Sequence, residues 1–175
     1  MLTGALFLAW SSPASTSALS LRITIDKEAL RIGEHPIVQA YITNGGSRPV
    51  TLVKPGDGSE VGWRTPEIGW SIATDNKPKT DFDYRQLRFC GNINPLEWHE
   101  VFILYPGQTR EVSEWLSLPP LLQAGTYKVS CTYSNLPQRE WQGVPLGINN
   151  PLAMVRVRLS TSCTLESNEL SIEVN

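Results

Sequence analysis

The sequence predicts an all-β fold, an antiparallel β-sandwich of about seven to nine strands, on three observations. Apolar residues recur at every second position rather than every third or fourth. Clusters of Gly, Pro, Asn and Asp punctuate the chain between those runs. No long segment carries the apolar stripe of an amphipathic helix. A sheet that is apolar on one face must bury it against another layer, so alternating strands without long helices imply sheets packed face to face.

The strands follow in order. Leu19, Leu21, Ile23 and Ile25 alternate with Ser20, Arg22, Thr24 and Asp26. Val38, Ala40 and Ile42 alternate with Gln39, Tyr41 and Thr43 and run into Asn44-Gly45-Gly46-Ser47, a tight reversal. Pro49 to Val53 returns from it as a strand. Residues 54–66 read as a loop, after which Ile68, Trp70 and Ile72 share a face. The polar stretch 75–99 reads as loop, with a short helical turn near 84–89. Glu100 to Tyr105 is apolar on both faces, as in a central strand, and Pro106-Gly107-Gln108 turns it into a strand over 109–116. Tyr127, Val129, Cys131 and Tyr133 form the inward face of the clearest strand, opposite Lys128, Ser130, Thr132 and Ser134. Beyond a loop at 135–151, Ala153, Val155, Val157 and Leu159 alternate with Met154, Arg156 and Arg158 and predict another strand. Leu170, Ile172 and Val174 predict the last.

A length of 175 residues suits one domain, expected over 19–175. Fifteen Lys and Arg against 17 Asp and Glu leave no basic stripe for nucleic acid and no polybasic surface for anionic lipid. No apolar stretch after the N-terminus is long enough to span a bilayer. Residues 1–18 have their own character: an apolar run, Leu2 to Trp10, then small residues ending in Thr16-Ser17-Ala18. They read as a signal peptide, which implies a secreted or periplasmic protein. The alternative is an N-terminal tail, since no Lys or Arg precedes the apolar run.

Three cysteines permit one disulfide and one free thiol. Cys131 shares the inward face of its strand and reads as a buried thiol. Cys90 and Cys163 lie among polar neighbours and form the favoured pair in an exported chain. The alternative is that no bridge forms.

The segment Ala124-Gly125-Thr126-Tyr127-Lys128-Val129 resembles the start of the sixth strand in immunoglobulin-like domains, where a tyrosine corner is built. With Asn44 to Val50 (NGGSRPV), Trp70, Leu104 to Gln108 (LYPGQ), Trp115 and Ser167-Asn168-Glu169-Leu170, it gives the chain a likeness to bacterial exported immunoglobulin-like sandwiches. More loosely, the chain resembles the intracellular proteinase inhibitors of bacilli. The resemblance spans roughly 20–134 and implies an immunoglobulin-like β-sandwich. Longer insertions at 75–99 and 135–167 depart from the inhibitor pattern, and the paired Cys and central Trp of antibody domains are missing.

Catalytic chemistry finds little to stand on. His35 and His99, the only histidines, sit in no nucleophile or metal-ligand pattern, and no zinc, phosphate-loop or serine-hydrolase motif occurs. No metal or cofactor is implied. Asp57-Gly58-Ser59-Glu60 reads as a turn rather than a calcium loop. Asp75, Asp81, Asp83 and Glu97 read as hydrating acids rather than a hydrolytic pair. The unusual ingredient is tryptophan. Trp70 takes the inward parity and belongs to the core. Trp63, Trp98 and Trp141 lie in expected loops, with Arg64 and Arg139 nearby. Such aromatics either fold back as lids or form stacking platforms for a ligand. These five residues are the expected binding surface of a non-catalytic module for a protein or glycan partner. A proteinase inhibitor presenting loops to an active-site cleft is the alternative.

Overall fold

The computed structural model describes residues 18–55, 67–74, 77–81, 95–112, 118, 121, 123–138 and 151–175. The described residues are predominantly β, and the all-β expectation holds.

The first alternating run forms β1 (Leu19–Ile25), with Leu19, Leu21 and Ile23 buried. A short β2 (Ala29–Leu30) follows, and β3 (Val38–Asn44) returns antiparallel to β1, pairing Ile23 with Ala40. β4 (Val50–Val53) pairs with β7 (Val101–Leu104), and β8 (Thr109–Glu111) pairs with β3. The opposing sheet is built on β9 (Gly125–Asn135), which lies between β5 (Glu67–Thr74) and β11 (Leu170–Val174) and also pairs with β10 (Cys163–Glu166). β6 (Lys77–Asp81) extends the sheet beyond β5, and β2 adds to β11 in parallel. The inner faces share one apolar cluster, including Ile23, Ile42, Leu52, Phe102 and Leu104 from one side. Trp70, Val129, Tyr133, Leu165 and Ile172 meet them from the other. Cys131 is buried in this cluster, as its parity requires.

Two buried polar side chains tie separate strands together. Asn44 Nδ2 donates to the carbonyls of Arg48 and Leu104, both at 2.9 Å, while its Oδ1 accepts from Gly46 N–H. Its backbone pairs with the turn ahead of β8 through Gln108 and Gly107. The NGGSRPV and LYPGQ segments therefore meet at one residue, and Gly107 supplies the positive φ of that turn. On the other sheet, Tyr133 O–H donates to the Val53 carbonyl at 2.7 Å, joining β9 to β4.

Four expectations require correction. The strand expected through Ala153, Val155, Val157 and Leu159 is a helix, α1 (Leu152–Arg158). Ala153 and Val157, four apart, bury together with Val53, Leu96 and Val101, whereas Val155 and Leu159 face out. Pro151, with φ of −64°, presets the helix start, and Arg156 and Arg158 in the last turn complement the helix dipole. Tertiary burial outweighs a few tenths of a kcal/mol of β-branched propensity per residue. Polar β6 falls where loop was expected, because an edge strand needs no apolar face. In 135–167 a further strand, β10, was missed; it shows only two inward residues, Cys163 and Leu165. Finally, Cys163 is not in polar surroundings: its Thr and Ser neighbours turn outward while its own side chain enters the core.

Candidate functional site

The outer face of the β4–β7 pair carries its own small core. Val50, Leu52, Phe102 and Leu104 point into the main cluster. Val53 and Val101 point the other way, where Leu96, Ala153 and Val157 cover them, with Met154 packed alongside. This second cluster seats α1 against the sheet and sets the position of the turn holding Trp98.

That turn, Trp98–Glu100, is a single 3-10 turn leading straight into β7. Glu97 N–H donates to the Glu100 carboxylate at 2.7 Å, and the Glu100 carbonyl accepts from Lys54 N–H at 2.7 Å. Glu97, a conceivable catalytic acid in the sequence, thus lies in a turn-closing arrangement. Trp98 is left 59% exposed. The Arg156 guanidinium stands 4.7 Å from its ring centroid and donates through Nη1 to the Trp98 carbonyl at 3.3 Å. A cation over an indole contributes about 0.5–1 kcal/mol at an exposed site. It fixes the ring's orientation rather than hiding it.

Of the five residues expected to bind a ligand, Trp98 is placed on the surface, while Trp63, Arg64, Arg139 and Trp141 lie outside the described residues. The partner of Trp98 is Arg156, 58 positions away, which alternation had placed on a strand. The i, i+4 spacing of Ala153 and Val157 after Pro151 signals the helix that carries it, though not the contact with Trp98. Around Arg156, α1 exposes Leu152 at 67%, Val155 at 50% and, just past its end, Leu159 at 76%. A large aromatic, a cation and three aliphatic side chains make a surface suited to hydrophobic and stacking contact.

The expected Cys90–Cys163 bridge is not present: Cys163 carries a free thiol, as does Cys131, and Cys90 lies outside the described residues. Burial pushes both described thiols up to about 11, so at neutral pH they are protonated and poor nucleophiles. His35 and His99 are exposed. Among the described residues, no group of three or more His, Cys, Asp or Glu gathers to hold a metal ion. No helix among them is long and apolar enough to cross a membrane. Elsewhere on the surface, a depression of about 840 Å³ is lined by Lys27, Arg31, Ile32, Gly33, Glu34 and Asn175 among others. Lys27 and Glu34 of this depression pair with each other.

No protein-family model and no curated protein matches the chain. Among solved structures, the chain is similar to one described as "AvmM Catalyzes Macrocyclization in Alchivemycin A Biosynthesis". The identity is 9%, over 90% of this chain and 89% of that one, with a TM-score of 0.33. A likeness that slight carries no functional argument.

Proposed function

We propose that this chain is a non-catalytic binding module, an exported immunoglobulin-like β-sandwich that takes a protein or glycan partner at the Trp98 face. The single observation that carries the reading is the half-exposed indole of Trp98, held in place by Arg156 beside the uncovered aliphatic side chains of α1. Fixing an aromatic before a ligand arrives lowers the ordering cost of binding.

The immunoglobulin-like part of the proposal draws support from Tyr127. Its O–H donates to the Gln123 carbonyl at 2.9 Å, four residues upstream, the geometry of a tyrosine corner at a strand start. The convergence of NGGSRPV and LYPGQ on Asn44 is in keeping with the same likeness.

The test is a ligand screen on the full chain, using soluble oligosaccharides and a displayed peptide library. Indole N–H resonances in two-dimensional NMR provide the readout, with Trp98 assigned by its loss in Trp98→Phe. The reading expects at least one ligand to shift the Trp98 signal and to bind Trp98→Ala about tenfold more weakly. Ligands that bind without disturbing Trp98, or none at all, would overturn it.

A further inference from the structure

The composition of α1 and the residue after it, Leu-Ala-Met-Val-Arg-Val-Arg-Leu, is apolar at six of eight positions. A helix apolar nearly all round is ordinarily buried on every side. Among the described residues this one is covered on one side alone, where Ala153 and Val157 meet the β4–β7 pair. Leu152, Val155 and Leu159 fall at i, i+3 and i+7 and so share the opposite side. They form one aliphatic stripe, at 67%, 50% and 76% exposure, with Trp98 and Arg156 along its flank.

We propose that this stripe docks a short peptide segment carrying bulky apolar side chains and a carboxylate. The inference rests on reading the Trp98 face as a binding surface and names its partner class.

Size argues for a peptide. The three aliphatic side chains and the indole expose on the order of 400–500 Å², at the level of a functional patch on a monomer. A stable globular interface needs about 800 Å² from each partner, so a second copy of this chain is too large an occupant for so small a footprint. From Leu152 to Leu159 the stripe runs about 10 Å along the helix axis. Three to four residues of extended chain cover that length.

Charge argues for the carboxylate. Arg158 stands exposed at the end of α1 and has no ion-pair partner among the described residues; Arg156 is already held against Trp98. Two arginines fall short of the clusters of four to eight that attach a protein to anionic lipid. A sugar ring would use the indole but would find no hydrogen-bonding groups on three aliphatic side chains.

The experiment selects binders to the full chain from a phage-displayed library of random dodecapeptides. Fluorescein-labelled copies of the enriched peptides are then titrated by anisotropy. Enriched peptides are expected to combine two or more large apolar residues with Asp or Glu. Val155→Ser is expected to weaken them about tenfold, the effect of losing two buried methyl groups to a hydroxyl. Arg158→Glu is expected to weaken them several-fold and to flatten the salt dependence. Both positions are exposed, so unchanged melting of the variants shows that the fold is intact. The proposal is overturned by peptides whose affinity ignores Val155, or by the absence of any enriched peptide. It is equally overturned by Val155-dependent binding to phosphatidylcholine–phosphatidylserine vesicles, or Val155-dependent self-association in sedimentation. Trp98-dependent binding of an oligosaccharide without peptide binding would sink this inference and leave the binding-module reading standing. No Trp98-dependent ligand of either kind would sink both.

Discussion

Asn168 occupies the outer edge of β1 as a neighbouring strand would: Ile23 N–H donates to its Oδ1 at 2.8 Å, and its Nδ2 donates to the Ile23 carbonyl at 3.2 Å. Ile23 is wholly buried and faces Ala40 across the β1–β3 ladder as a pair that exchanges no hydrogen bonds: the Ala40 carbonyl accepts from Val112 on its far side, and the amide and carbonyl of Ile23 point away from β3. The carboxamide satisfies both at once. Asn168 lies between β10 and β11, in the opposing sheet, and β1 packs near β10 there. One side chain thereby closes the two sheets along a shared margin.

Replacing Asn168 with Ala leaves a backbone donor and acceptor of Ile23 unpaired at the sheet margin. The expected cost is about 1–2 kcal/mol, read as a lower urea midpoint with unchanged slope. Asn168→Asp retains the acceptor but sets a carboxylate against the Ile23 carbonyl, and should cost at least as much. Both variants uncover a strand edge, so oligomers should rise in size-exclusion chromatography at high concentration. Equal stability of Asn168→Ala and the parent would show that the edge bond contributes nothing.

Asn44 is the more severe case. Its Nδ2 serves two carbonyls and its Oδ1 one amide, in a site shut off from water. Asn44→Asp replaces the double donor with oxygen and points negative charge at the carbonyls of Arg48 and Leu104. A loss of about 3–5 kcal/mol is expected, on the scale of an uncompensated buried charge. Asn44→Ala should cost less, about 2–3 kcal/mol, because it leaves polar groups unpaired without adding charge. Chemical denaturation of the pair checks the order, and the reverse order would refute the assignment of Nδ2 as donor.

Alkaline pH should weaken the fold through its buried acids. Burial raises Cys131 and Cys163 from 9.0 to about 11, and it also raises Tyr133 well above its ordinary value of 10.0. These groups bind protons more tightly folded than unfolded. Their contribution is therefore complete below about pH 9 and falls as pH rises through 9–11, where the unfolded chain ionises first. A urea series from pH 7 to 11 should show declining stability, and the decline should become shallower in Cys131→Ala/Cys163→Ala. A thiol reagent such as Ellman's should react with neither cysteine at pH 8 until the protein is unfolded. Rapid labelling of native Cys131 or Cys163 would contradict their burial.

How far the chain could be read beforehand depended on the length and one-sidedness of each alternating run. β1, β3 and β9 each carry at least three inward residues in strict alternation, and all were legible. β10 carries two and β6 is a polar edge strand, so neither stood out from loop. The same limit governs the candidate site. Trp98 was legible as a bulky aromatic in a turn-rich stretch. Arg156 was not, because its proximity to Trp98 depends on the packing of α1 over Val53 and Val101, a contact that no local pattern encodes. The thiol of Cys163 misled for a related reason: polar neighbours in sequence say little about a side chain that points the other way.

The segment 152–159 offers the sharpest discrimination, because helix and strand make opposite claims about two of its valines. On a strand, Val155 and Val157 share a face and would be equally buried. On α1, Val157 is sealed against Val53 and Val101 while Val155 is half exposed. Val157→Asp should therefore cost about 3 kcal/mol or more, since it forces an unpaired charge into an apolar seat. Val155→Asp should stay within about 0.5 kcal/mol of the parent, as surface substitutions do. Thermal melting of the two variants side by side decides the matter. Matched losses would restore the strand, and with it would go the stacking of Arg156 on Trp98 and the aliphatic stripe beside them.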